Sequence, residues 1–154
     1  MADATIFDRL KQDHDAHRQL FDKMADAEGD NERLAKLFEQ FRVEVTAHAA
    51  AEEETLYATM LARPDLREDA QHSVSEHKEI DDYLEELQEQ EFNSTAWRET
   101  FDKMKKRYLH HIEEEEEEMF PDAAAELTTE EEQKLAATFA RRKPAELQRA
   151  EKAD

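Results

Sequence analysis

The apolar frame of this chain repeats after 63 residues, and a repeat of that length fixes its architecture more tightly than any local propensity. Leu20 matches Tyr83, Met24 matches Leu87, Leu34 matches Trp97, Phe38 matches Phe101, Phe41 matches Met104 and Val45 matches Tyr108. Further along, Leu56 matches Met119 and Tyr57 matches Phe120. Within each copy these residues step by three and four, the spacing of one helix face. Two copies of a unit longer than an ordinary solenoid repeat imply a duplicated helical hairpin. A single Gly and three Pro in 154 residues agree with long helices joined by short turns.

The apolar steps predict helix one from about Thr5 to Glu28, broken by Gly29-Asp30-Asn31. Asn31 is the expected N-cap of helix two, which should end before Pro64 because a residue preceding proline avoids the helical region. Helix three is expected from about Leu66 to Glu91, with Asn93-Ser94 as the next break. Helix four carries Trp97, Phe101, Met104, Tyr108 and Met119 on one stripe and should end at Pro121. Thr128-x-x-Glu131 reads as a capping box for a short fifth helix reaching about Arg142, closed by Pro144. The expected fold is all-α: an up-down-up-down four-helix bundle over residues 1–125. Residues 126–154 form a C-terminal helical extension, packed on the bundle or partly frayed.

Each of the four stripes is interrupted by a histidine: His14, His48, His77 and His111. These also obey the repeat, since 14 to 48 and 77 to 111 are both 34 residues, and 14 to 77 is 63. His48 and His111 are each followed at i+4 by a glutamate, Glu52 and Glu115. Residues four apart are neighbours on a helix face, so each pair can grip one centre. A lone histidine in an apolar stripe is usually a hydrogen-bonded core residue. Four of them, one per helix, with two carboxylates that are costly to bury unpaired, point to metal ligation. Four imidazoles and two carboxylates exceed the needs of one tetrahedral zinc. They suit two metal ions with Glu52 and Glu115 bridging, a further oxo, hydroxo or water bridge, and about one open position per metal. Such mixed ligation suits iron first, with manganese and zinc as alternatives.

The segments Asp13-His14, His48-x3-Glu52-Glu53, Glu76-His77 and His110-His111-x3-Glu115, the last running into Met119-Phe120-Pro121, resemble the hemerythrin-like HHE cation-binding family. The resemblance covers about residues 5–125. It implies a four-helix bundle around two iron ions that meets dioxygen, nitric oxide or peroxide. The oxygen carriers of that family have an additional histidine one turn from the third-helix ligand. Here those positions are Ser73 and Asp81, and the fourth-helix pair is a histidine and a glutamate. The pattern is therefore more similar to sensing, detoxifying or iron-responsive relatives. Ferritin-like proteins organise their sites around Glu-x-x-His, which does not organise this repeat.

The remaining polar residues divide between core and site. His17 lies one turn after His14, where the repeat has Ile80, and is read either as a fifth nitrogen ligand or as a residue behind the ligands. His110 aligns with Ala47 and is expected on a flank, and His72 in solvent. Tyr57 and Tyr108 are expected to pack, with a hydrogen bond toward the metals as the alternative. The run Glu113 to Glu118 is expected to be a solvated face apart from Glu115, with Glu118 a second inward candidate. Glu53 and Glu54 are expected outside, Glu53 within reach of a ligand.

A formal net charge of -20 argues against nucleic acid and anionic membranes as partners, since both repel it. No apolar run is long enough to span a bilayer, and no secretory leader is recognisable, so a cytoplasmic location is expected. With no Cys, thiolate metal sites and cysteine nucleophiles are excluded. The leading expectation is a non-haem di-iron protein that binds or reacts with dioxygen, nitric oxide or peroxide, including peroxide decomposition. The alternatives are an iron-responsive sensor or iron buffer without turnover, and a metal-free helical interaction module.

Overall fold

The computed structural model describes residues 4–152, and among them every regular element is helical. Helix α1 is Ile6–Asp26. Helix α2 runs Asn31–Glu52, passes through a π-helical turn at Glu53–Tyr57 and ends with Ala58–Leu61. Helix α3 is Pro64–Glu89. Helix α4 runs Thr95–Glu114, passes through a second π-helical turn at Glu115–Met119 and continues as Phe120–Glu126. Helix α5 is Thr129–Lys152. Helices α1 to α4 form the expected four-helix bundle as two hairpins, and α5 packs along α1 and α2. Among the described residues no helix is long and apolar enough to cross a membrane.

The starts follow local chemistry. Thr5 caps α1 through a reciprocal box with Asp8. Asp30 caps α2, accepting from the Arg33 amide at 3.1 Å, so Asn31 is the first helical residue and not the cap. Pro64 opens α3 where its missing N–H costs nothing, two residues ahead of the expected start, and Arg63 before it is extended. Ser94 caps α4 through the Trp97 amide at 3.2 Å. The two hairpin tips turn through left-handed residues, Gly29 at φ 92 and Asn93 at φ 59, and Asn93 donates to the Asn31 side chain at 2.7 Å.

Two prolines expected to stop helices do not. Pro121 lies two residues beyond the last residue of the second π turn, next to Phe120, whose amide reaches back to the Glu115 carbonyl. The hydrogen-bond ladder changes register there, so a residue that donates nothing is accommodated. Pro144 lies inside α5, which continues to Lys152 and is not the short helix expected from the sequence. The proline is exposed, so the carbonyl it orphans can turn to water. Tertiary bonds hold the helix on either side of it. Lys143 Nζ donates to Asp13 and Glu44, and the Arg42 guanidinium donates to the Ala150 carbonyl.

The core divides into two apolar clusters with a polar layer between them. One, near the hairpin tips, is built on Phe21, Phe38, Phe41, Trp97, Met104 and Tyr108. The other is built on Phe7, Leu10, Leu56, Tyr57, Phe120 and Phe139. Phe139 comes from α5 and is fully buried, so the fifth helix contributes to the core itself. Phe139→Ala should therefore cost about 3–5 kcal/mol of stability in urea unfolding. A loss under about 1 kcal/mol would place α5 outside the cooperative unit.

Candidate metal centre

The polar layer between the two clusters gathers all six side chains singled out by the repeat. His14, His48, Glu52, His77, His111 and Glu115 are each at most 5% exposed. They form two groups whose ligand atoms lie within 4.8 Å of one another: His14, His48 and Glu52, and Glu52, His77, His111 and Glu115. Glu52 belongs to both. Its Oε1 is 3.6 Å from His48 Nε2 on its own helix and 3.3 Å from His77 Nε2 on the opposite hairpin. Glu115 mirrors it, with Oε1 3.1 Å from His111 Nε2 and 3.5 Å from His14 Nε2. Each carboxylate thus spans one histidine of its own hairpin and one of the other.

The orientation of the imidazoles is set from outside. Each Nδ1 meets a carboxylate: His14 with Glu116 at 2.7 Å, His48 with Asp13 at 2.8 Å, His77 with Glu53 at 3.0 Å, and His111 with Glu76 at 2.8 Å. An Nδ1–H donated outward leaves each Nε2 lone pair aimed at the centre. Three of these outer carboxylates are themselves pinned. Lys143 donates to Asp13 at 2.9 Å, Arg107 pairs with Glu76 at 3.0 Å and Arg18 with Glu116 at 3.1 Å. The outer partners obey the 63-residue repeat as strictly as the ligands, Asp13 with Glu76 and Glu53 with Glu116.

Tyr57 meets one Glu115 oxygen and His77 Nε2, and most of the remaining inner face of this shell has no hydrogen-bond partner. His14 Nε2, His48 Nε2, His111 Nε2, both Glu52 oxygens and Glu115 Oε1 are buried without a hydrogen bond. A buried polar group left so costs about 1–3 kcal/mol, more if charged, and here six such atoms converge. Their chemistry, imidazole nitrogen and carboxylate oxygen, fits a cation.

The electrostatics agree. Burial pushes the Glu52 carboxyl well above its ordinary value, and the neighbouring Glu115 charge adds to that. Burial also opposes the Glu115 charge, but protonated His111 beside it holds that carboxyl well below the usual range. Burial works against charge on His14 and His111, yet their contacts with Glu115, and with Glu116 and Glu76, raise both to about 9. Burial instead pulls His48 down to about 4 despite its bond to Asp13. A metal held by these imidazoles would require them neutral, so its binding would release the protons that the raised His14 and His111 favour.

The π turns account for what the sequence left out. Both begin at or beside a centre glutamate, and they break the helical period so that consecutive residues serve the site. Glu52 faces inward while Glu53 reaches His77, and Glu115 faces inward while Glu116 reaches His14. Glu116 was expected in solvent, and Glu118, the second inward candidate, is the exposed one. The signal was present in the repeat, which places the consecutive pairs Leu56-Tyr57 and Met119-Phe120 at equivalent apolar positions. Five residues beyond Glu52, Tyr57 donates its hydroxyl to Glu115 at 2.6 Å. His17 stays outside both groups: its Nδ1 is 2.7 Å from the Tyr108 hydroxyl and its ring lies edge-on to His48. His72 is exposed, as expected, and so is His110, which therefore does not stand behind the inward residues.

A helical bundle with an inward His/carboxylate layer, built on a duplicated hairpin, defines a class of cation-binding four-helix proteins. The hemerythrin HHE cation-binding domain family matches residues 5–123, and the chain belongs to it. A crystal structure of a hemerythrin HHE cation-binding domain-containing protein from Mycobacterium kansasii superposes with a TM-score of 0.82 at 21% identity. The match covers 95% of this chain and 89% of that one, so the likeness takes in α5. No curated protein matches the chain.

Glu116→Gln should weaken metal binding about 10- to 100-fold, since outer partners of ligating histidines carry that much affinity. Glu117→Gln, on the exposed face next door, should leave it unchanged. Equal affinities of the two variants in a competition titration would remove Glu116 from the site.

Proposed function

We propose that this chain is a cytoplasmic, non-haem di-iron protein whose centre binds or reacts with dioxygen, nitric oxide or peroxide. In this reading His14 and His48 would hold one iron and His77 and His111 the other, with Glu52 and Glu115 shared between the two. The observation that carries it is the set of unpartnered buried atoms at the join of two symmetric half-sites, each carboxylate reaching a histidine of both hairpins. When bound, an iron pair supplies one-electron redox steps and open coordination positions for a small ligand.

The protein's own contributions are orientation, dryness and hydrogen bonds. The four outer carboxylates fix the imidazoles, and the apolar clusters on either side exclude bulk water. Beside His48 and His77 lies a cavity of about 10 Å3, lined also by Val45, Ile80 and Tyr108. That is room for about one water-sized molecule, and it suits a diatomic or peroxide better than any larger substrate. Burial raises the Tyr57 phenol well above its ordinary pKa, so its hydroxyl keeps its proton and remains a donor to Glu115.

Protein loaded anaerobically with ferrous iron should contain about two irons per chain, with an optical spectrum that changes on adding oxygen or peroxide. Glu52→Ala should lower the occupancy of both irons, because a bridging carboxylate is shared. A single iron retained with an unchanged spectrum would make Glu52 a terminal ligand and overturn the bridged pair. Oxygen released from added peroxide would favour peroxide decomposition.

One observation favours the alternative, an iron-responsive sensor or buffer without turnover. Lys143 of α5 bonds to Asp13, which orients His48, so the metal state is linked to the C-terminal helix. In that case metal should change hydrogen-exchange protection of α5, Lys143→Met should abolish the change, and the loaded protein should release no oxygen from peroxide. Protection of α5 that ignores metal would dismiss the sensor.

A further inference from the structure

A second cluster of metal-ligand side chains lies outside the buried centre, in the groove between α3 and α4. His72 Nε2 is 3.5 Å from Glu76 Oε2 and 3.3 Å from Glu114 Oε1, and ligand atoms of the three fall within 4.8 Å of one another. The three differ in character. His72 and Glu114 reach solvent, whereas Glu76 is 2% exposed. The groove encloses about 60 Å3, and Asp69, Glu118 and Asp122 line its walls. Burial and the facing Asp122 carboxylate raise the Asp69 carboxyl above its ordinary value, so like charges are crowded in the groove.

Acidic side chains alone would be an ordinary solvated face. What distinguishes this groove is its floor, formed by His111 and Glu115. Both are at most 2% exposed, and their facing atoms, His111 Nε2 and Glu115 Oε1, lie 3.1 Å apart and are directed at the buried centre. The groove therefore ends on the ligands of the buried centre. Glu76 joins the two places directly, one oxygen on His111 Nδ1 at 2.8 Å and the other toward His72. The neighbouring cation is Arg107, 3.0 Å from Glu76 Oε2. It is anchored independently by two bonds to Glu79, so it can yield that oxygen without losing its place.

We propose that His72, Glu76 and Glu114 form an exchangeable site for a divalent first-row transition-metal ion, and that the ion passes from it along the groove to the buried centre. The route rests on the metal centre proposed above, whereas the cation site does not. One nitrogen and two carboxylate oxygens with open solvent positions suit capture and release of such an ion. The groove's carboxylates raise the local cation concentration at its mouth.

The test uses the full-length metal-free protein and H72A/E114Q, which alters two side chains that touch none of the six buried ligands' inner atoms. Manganese(II) binding is counted by electron paramagnetic resonance, and anaerobic ferrous loading is followed by stopped flow. The wild type should bind one rapidly exchanging manganese beyond those of the buried centre, and H72A/E114Q should lose it. The variant should reach the same final iron content about 10-fold more slowly, the low end of what electrostatic focusing contributes to rates. Equal final content and an unchanged circular dichroism spectrum guard against misfolding. An unchanged manganese count together with an unchanged loading rate overturns the proposal. Loss of the exchangeable ion without slower loading overturns the route and keeps the site. A wild type that binds only the exchangeable ion, lost in H72A/E114Q, keeps the site and overturns the buried centre instead.

Discussion

Four histidines in this bundle are held by their outer nitrogens, and most of the structure follows from that restraint. An imidazole free to rotate inside a helical core would seek any partner. Here Asp13, Glu53, Glu76 and Glu116 take the Nδ1 hydrogens and leave the Nε2 atoms pointing at one another's carboxylates. Three of the outer carboxylates, Asp13, Glu76 and Glu116, are held in turn by the cations Lys143, Arg107 and Arg18. The chain of constraint thus runs from the surface inward, ending on atoms that the protein itself leaves unsatisfied. A core organised this way sacrifices stability at its centre, and the two apolar clusters above and below offset that loss.

The sequence disclosed what is periodic and concealed what breaks the period. His14, His48, His77, His111, Glu52 and Glu115 were legible because the 63-residue repeat and the i+4 spacing coincide on one stripe. The bundle was legible for the same reason. Glu116 was not, because on a regular α-helix the residue after a buried glutamate turns away by about 100°. Only the π turn returns it to His14. Pro121 and Pro144 misled for a related reason. Proline forbids a helical hydrogen bond but not a helix whose ladder shifts register, as after Glu115–Met119, or whose orphaned carbonyl faces water. The length of α5 was set by tertiary bonds from Lys143 and to the Ala150 carbonyl, which no local signal in AELQRAEKAD announces.

The duplication is strict in the six inward residues and their outer carboxylates and loose beyond them. Tyr57 stands opposite Phe120, Tyr108 opposite Val45, and His17 opposite Ile80. Tyr57 bonds to a carboxylate of the centre, whereas Tyr108 bonds to His17. Asp13 is braced by a lysine from the fifth helix, and its counterpart Glu76 by an arginine within α4. Two chemically equal half-sites therefore sit in unequal surroundings, and any difference in their behaviour has to come from these few residues.

The crossed reach of the two glutamates makes the centre the seam of the molecule. Glu52 lies on the first hairpin but touches His77 of the second, and Glu115 lies on the second but touches His14 of the first. A chain severed in the short link at residues 62–63 would give two hairpins, each with two of the four central histidines and one of the two central glutamates, and neither with both partners of its own carboxylate. Reassembly of such halves and completion of the site would be a single event, so the duplicated hairpin is a natural template for a split protein whose rejoining reports on metal.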